Sequence, residues 1–205
     1  MDSIKKDNIE HNNANNPDDE EVSPASIPRS PYGLFFDFSF NDPKDSGITI
    51  ENEGLTGKNH GIGWRTLLGN SSINFDNPGK YFFEIKINDI SPAWGNSIGV
   101  ADIKYDNSGT TILGYKDYGK AKSWAWFTYD SCLNGFLHDG TNVGEKPEIF
   151  TTGDVVRIVI EAADKSISFY KNDIFIGKPF VDIDSNEVIP AFTLCGENDS
   201  ITILK

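Results

Sequence analysis

Residues 153–177 read GDVVRIVIEAADKSISFYKNDIFIG, and this stretch decides the fold. Within 155–161 every even-numbered position is Val or Ile, a period of two that is typical of a β-strand with one buried face. The chain then breaks at 162–165 and again at Asn172-Asp173, where Asn and Asp tolerate the positive φ of a tight turn. The stretch therefore predicts three strands joined by two hairpin turns.

The same alternation recurs elsewhere in the chain. Residues 81–87 place Tyr, Phe, Ile and Ile on one face and Phe, Glu and Lys on the other. Aromatic and β-branched residues also fill 34–38 and 48–51, and Trp124 and Trp126 are two positions apart, so they share a face. We find no amphipathic pattern of three helical turns. The sequence predicts an all-β domain, either a sandwich or a barrel.

The first thirty residues have a different composition from the rest. They include an Asn-rich run at 12–16 and an acidic run at 18–21, and they contain no aromatic residue. Such a segment cannot bury enough apolar surface to offset its chain entropy. We predict a disordered, acidic, Asn-rich tail over 1–30 and one folded domain over 31–205. The chain shows neither an apolar run of membrane-spanning length nor a signal peptide, so we expect a cytoplasmic or nuclear, monomeric protein.

The charge of the chain disfavours some classes of partner. The formal net charge is −13, and residues 1–30 contribute seven acids and three bases to it. An acidic surface repels phosphate backbones and anionic lipid, so we expect no nucleic-acid binding and no membrane binding. A neutral or basic protein partner is favoured instead.

The residues with chemical potential do not form a catalytic or metal-binding pattern. No Gly-x-Ser-x-Gly motif accompanies the three histidines, and the Gly-rich stretch 57–63 lacks the Lys-Ser/Thr ending of a phosphate loop. Glu84 and Glu161 each lack a second acid two residues away, as paired carboxylates on one strand face would require. Cys132 and Cys195 belong to no CxxC motif. We predict no catalytic residue, no metal ligand and no cofactor.

Six short blocks, taken together and in order, resemble the SPRY domain family. The resemblance covers roughly residues 33–205, and it implies two antiparallel sheets packed as a bent, concanavalin-like or jelly-roll β-sandwich. The blocks are GWRT at 63–66 with Gly69, GKYFFEI at 79–85, IGVA at 98–101, SWAW at 123–126, the stretch at 153–177, and IPAF at 189–192.

The resemblance also implies a function. SPRY domains act as protein-interaction modules, so the expected role is a non-catalytic adaptor or complex subunit of a eukaryotic cell that binds a peptide or a folded protein. Substrate recognition for ubiquitin ligation is one form of that role. The alternative is a lectin-like glycan-binding domain, because the fold is related to lectins. One branch of the family that captures Asn-rich acidic peptides has Trp where Cys195 stands here, so we do not transfer its peptide specificity.

By order along the chain, the resemblance implies that the loops at one edge of the sandwich bind the partner. Tyrosines are well suited to this, because their rings combine apolar area with a polar tip. The expected partner-binding residues are Lys58, Asn59, His60, Tyr105, Tyr115, Tyr118, Glu197 and Asn198, and the expected pocket floor is Trp124 and Trp126.

Overall fold

The computed structural model describes residues 31–41, 47–91, 93–115, 121–129 and 134–205. The predicted tail at 1–30 lies outside these residues, so its disorder stays a prediction.

The described residues form fifteen strands and one short 3₁₀ turn at Asn52–Gly54. The strands are β1 (Leu34–Phe35), β2 (Ile48–Glu51), β3 (Thr56–Asn59), β4 (Arg65–Leu68), β5 (Ile73–Asn74), β6 (Lys80–Asp89), β7 (Asn96–Asp102), β8 (Ser123–Thr128), β9 (Gly135–His138), β10 (Thr141–Asn142), β11 (Val155–Glu161), β12 (Ser166–Lys171), β13 (Ile174–Phe180), β14 (Glu187–Leu194) and β15 (Ser200–Leu204).

The strands pair into two sheets, which confirms the predicted all-β sandwich. The first sheet has the order β13-β12-β11-β6-β15-β3-β2, and β1 pairs in parallel with the beginning of β6. The second sheet has the order β10-β9-β8-β7-β14-β4, with β5 beside β14. All pairs except β1 with β6 are antiparallel, so the connecting loops collect at the two ends of the sandwich.

The stretch at 153–177 forms the three strands that its pattern predicts. Strand β11 pairs with β12, and β12 pairs with β13, through the turn at Asn172-Asp173. Both turn residues have positive φ, 49° and 67°, as a two-residue hairpin turn requires. Val156, Ile158 and Ile160 are fully buried against the other sheet.

Aromatic side chains fill the space between the sheets. Trp126 packs edge-on against Phe150 with ring centroids 5.2 Å apart, and Phe38 lies parallel to Phe192. Trp124 belongs to the same buried cluster, so the two tryptophans do share the inner face of β8. Large rings suit this position because the inner faces of two packed sheets are about 10 Å apart.

The aromatic strand predicted over 34–38 is shorter in the structure. Only Leu34 and Phe35 pair with β6, and the amide of Phe36 adds one more hydrogen bond to the carbonyl of Phe82 at 2.7 Å. Beyond this point the chain leaves the sheet and carries Phe38 and Phe40 into the core. Burial of these two rings therefore competes with further strand pairing and ends the strand.

Candidate functional site

Three loops at one end of the sandwich are held together by hydrogen bonds that their backbone amides donate. The amide of Gly63 donates to the carbonyl of Cys195 at 2.8 Å, and the amide of Asn198 donates to the carbonyl of Asn59 at the same distance. The amide of Ser91 donates to the carboxylate of Asp199 at 2.7 Å. The β3–β4, β6–β7 and β14–β15 connections therefore form one assembly.

Arg65 and Asn59 set the shape of the β3–β4 loop. The Nη1 atom of Arg65 donates to Oδ1 of Asn59 at 2.9 Å and to the carbonyl of Gly61 at 3.0 Å. The Nδ2 atom of Asn59 in turn donates to the carbonyl of Gly196 at 3.0 Å. A loop tied at both ends in this way presents its tip in a defined position.

The tip of that loop is apolar and exposed. Ile62 lies between Gly61 and Gly63, and 61 % of its surface is accessible to solvent. Trp64 follows in the same loop, and the half-buried side chains of Trp64, Tyr115 and Tyr129 pack on the outer face of the second sheet. We call Ile62, Trp64, Tyr115 and Tyr129 the loop surface; the buried residues beneath it are Ile112, Phe127 and Leu137.

A cleft of about 500 Å³ opens next to the loop surface, and Tyr129 lines both. We call it the end cleft, because it lies between the two sheets where β6 and β8 end. No charged side chain is among the described residues that line it. A cavity of this size and polarity suits an apolar side chain of a ligand. Its apolar lining residues are Ile90, Trp94, Tyr129, Ile149 and Phe150.

Some of the predicted partner-binding residues lie at the border of this site. Glu197 and Asn198 are exposed in the β14–β15 turn. His60 is exposed as well, and its Nε2 atom is 2.7 Å from the hydroxyl of Thr49. Lys58 is half-buried within β3, in register with Thr49 and Ser200, rather than in a loop.

Other predicted site residues are buried in the structure. Asn59 is fully buried by the hydrogen bonds that hold the loops. Tyr105 is buried beneath the β7–β8 connection against Leu113. Trp126, predicted as part of the pocket floor, is fully buried in the core.

Trp124 lines a different cleft at the opposite end of β8. Its ring stacks on the ring of His138 with centroids 5.0 Å apart, and both face a cleft of about 360 Å³ beside residues 179–184. Trp124 therefore does not form the floor of the loop surface. The last predicted residue, Tyr118, lies outside the described residues.

The sequence analysis missed Ile62, Trp64 and Tyr129 as surface residues. A signal was present for Ile62, because an apolar residue between two glycines cannot continue a strand pattern and is left at a loop tip. For Tyr129 the signal was its position two residues after Phe127 of β8, which places both side chains on the same outer face. For Trp64, the sequence analysis used only its place in the GWRT block of the family resemblance and gave it no surface role.

A buried thiol lies beneath the loops of the site. Burial raises the pKa of the Cys195 thiol to about 11, so this cysteine is a protonated packing residue at neutral pH. Among the residues with described positions, no three His, Cys, Asp or Glu side chains cluster as a metal site would need. No helix in the described part of the chain is long and apolar enough to cross a membrane.

The fold and the site define a β-sandwich that presents a rigid apolar loop surface next to a cleft. Comparison with known proteins agrees with this class. The sequence profile of the SPRY domain matches residues 80–205, and the chain therefore belongs to the SPRY domain family. SPRY domains are protein-interaction modules and are generally non-catalytic.

Two curated proteins and a solved structure illustrate what the chain is similar to. The chain is 28% identical over 98 residues to the proteins named F-box/SPRY domain-containing protein 1 of Culex quinquefasciatus and of Aedes aegypti. That match covers 45% of this chain but only 35% of each relative, so the chain spans about a third of their length. The crystal structure of the SPRY domain of human HERC1 superposes with a TM-score of 0.63 at 19% identity, over 81% of this chain and 97% of that one.

Proposed function

We propose that this chain binds a protein partner through the loop surface and the end cleft. The observation that carries the proposal is Ile62, an isoleucine 61 % exposed on a loop that Arg65 and Asn59 hold in place. A rigid, exposed apolar residue next to an uncharged cleft is the usual arrangement of an interface centre. In this proposal, Ile62 contacts the partner and an apolar side chain of the partner enters the end cleft.

We further infer that the chain is the recognition part of an adaptor or a larger complex. The printed names of the two mosquito relatives combine an F-box with a SPRY domain, which supports this inference. The specific adaptor role that can be tested is the selection of proteins for ubiquitin ligation in the cytosol or nucleus.

The test is quantitative affinity capture with three versions of the full chain. The baits are the native chain, the double variant Ile62→Ser with Tyr129→Ala, and the matched control Val181→Ser. Val181 is also highly exposed, but it lies on the β13–β14 connection at the other end of the sandwich. Circular dichroism first establishes that all three are folded.

We expect a protein that the native chain and the control capture equally and that the double variant loses by about thirtyfold or more, the equivalent of one interface hot spot of about 2 kcal/mol. Recovery of ubiquitin-ligase subunits with that protein supports the adaptor role. Equal capture by all three baits would reject the loop surface as the binding site. Release of the captured protein by free sugars would favour the glycan-binding alternative.

A further inference from the structure

The outer face of the first sheet carries a row of aromatic rings on the side of the molecule opposite the loop surface. Consecutive ring centroids along this row are 5.5, 6.0, 5.2 and 5.3 Å apart, so the rings form one continuous apolar strip. The strip crosses β1, β6, β12 and β13. We call it the aromatic row, and in order it comprises Phe35, Phe82, Tyr32, Tyr170 and Phe175.

Packing of the fold does not require this row. The core between the sheets is formed by the opposite faces of the same strands, as Phe83 of β6 and Phe169 of β12 show. The outward face of an antiparallel sheet is ordinarily polar. Here Phe35 is 40 % exposed and Phe175 is 56 % exposed. The three rings between them, Tyr32, Phe82 and Tyr170, are half-buried. A contiguous apolar strip with exposed ends on a folded domain marks an interaction surface.

An arginine holds the middle of the row rigid. The guanidinium carbon of Arg157 lies 3.8 Å from the ring centroid of Tyr32 and 5.8 Å from that of Phe82. The same guanidinium pairs with the carboxylates of Glu84 and Asp173, the latter at 2.7 Å. These contacts fix the rings in place before any partner arrives, which lowers the entropic cost of binding.

The turn at one end of the row presents a carboxylate to solvent. The side chain of Arg157 is only 12 % exposed, whereas that of Asp173 is 74 % exposed at the tip of the β12–β13 turn. One arginine between two carboxylates leaves a net charge of about −1 on the trio. An approaching chain therefore meets apolar rings beside a carboxylate, on a protein whose net charge is −13.

We propose that the aromatic row is a second interaction surface, which binds a protein segment carrying apolar side chains next to arginine or lysine. The apolar side chains pack on Phe35 and Phe175, and the cation pairs with Asp173. A cation beside aromatic rings gains an additional attraction from the ring faces. With one surface on each side of the sandwich, the chain is able to hold two partners at once.

Charge argues against two other occupants of the row. Residues 1–30 of this chain precede Tyr32, but they carry seven acids and three bases and no aromatic residue. A second copy of the chain has the same net charge of −13 and presents its own Asp173 from the same surface. Both occupants bring like charges together, which opposes association.

The test uses two short synthetic probe peptides and the isotopically labelled full chain. One peptide alternates leucine with arginine, and the other alternates leucine with glutamate. We expect the leucine–arginine peptide to bind saturably and to shift the amide NMR signals of Phe82, Tyr170 and Phe175. We expect Phe175→Ser to weaken this binding by about tenfold, whereas the exposed control Val181→Ser leaves it unchanged.

Charge variants and competitors make the test decisive. Asp173→Asn and Asp173→Lys should weaken binding in that order, and the leucine–glutamate peptide should not bind. Equal binding of both peptides, or shifts confined to Ile62 and Tyr129, would overturn the proposal. Competition by a synthetic peptide of residues 1–30, or a dimer in sedimentation experiments that Phe175→Ser dissociates, would overturn the assigned partner.

Discussion

At the residue scale, one buried carboxylate joins the loops that form the candidate site. Asp199 accepts hydrogen bonds from the backbone amides of Ser91 at 2.7 Å, Gly196 at 2.6 Å and Cys195 at 3.3 Å. Its side chain is buried, so water cannot replace any of these bonds. Asp199 therefore orders two connections of the sandwich without touching a ligand.

We expect Asp199→Ala to lower the free energy of unfolding by about 3 kcal/mol, because it leaves the amides of Ser91 and Gly196 without an acceptor, while the amide of Cys195 keeps its bond to Asn96. Urea unfolding followed by tryptophan fluorescence measures this change. The exposed neighbour Glu197 is the matched control, and Glu197→Ala should stay within about 0.5 kcal/mol of the native chain. Equal losses in the two variants would show that Asp199 does not hold the loops.

At the element scale, the decisive feature is the close approach of two neighbouring strands in the second sheet. A Cβ atom on Gly99 of β7 would lie 2.0 Å from the carbonyl oxygen of Trp124 and 2.8 Å from the Cα atom of Ala125. Both of these are backbone atoms of β8, and the pair Gly99–Ala125 is in register. Only glycine allows the two strands to approach this closely.

We expect Gly99→Ala to destabilise the chain by about 3 kcal/mol or more, because β7 and β8 must separate along their length. Soluble yield and urea unfolding report the effect. The control is Gly140→Ala, at a turn glycine with φ of 74° and no neighbouring atom within 4 Å. Its cost should be about 1 kcal/mol, from the backbone conformation alone. A control as damaging as Gly99→Ala would exclude strand separation as the cause.

At the scale of the whole molecule, two buried acidic groups with raised pKa values set the upper pH limit of folding stability. Burial raises the pKa of Cys195 from 9.0 to about 11 and that of Tyr105 from 10.0 to about 12. Between these values the folded chain keeps protons that the unfolded chain has already lost. Stability is therefore complete below about pH 9 and decreases as the pH rises towards 12.

We expect Cys195→Ala to remove about 2 kcal/mol of the pH dependence between pH 9 and 11, and Tyr105→Phe a similar amount between pH 10 and 12. Urea unfolding at pH 9, 10, 11 and 12 measures the difference between each variant and the native chain. Comparing differences across pH cancels the constant cost of the altered packing. A difference that does not change with pH would contradict the assignment.

Much of the fold was predictable from alternation along the chain, and the site was not. Alternation along β11 correctly predicts which side chains are buried, namely Val156, Ile158 and Ile160. A strand that packs on another sheet with one face buries every second side chain. The same reasoning cannot place Tyr105, because a tyrosine in a long connection is exposed or buried according to what the connection covers. Here the connection folds over the second sheet and buries the ring.

The sequence by itself determined the all-β class, the three-strand stretch at its centre and the family resemblance. These depend on contacts between neighbours along the chain and on a period of two. Only the tertiary structure decided that Trp64, Tyr115 and Tyr129 pack on one cluster, and that an aromatic row covers the far face. Both groupings include residues that are far apart in the chain. Strand order and register bring these residues together, and no local sequence pattern encodes strand order or register.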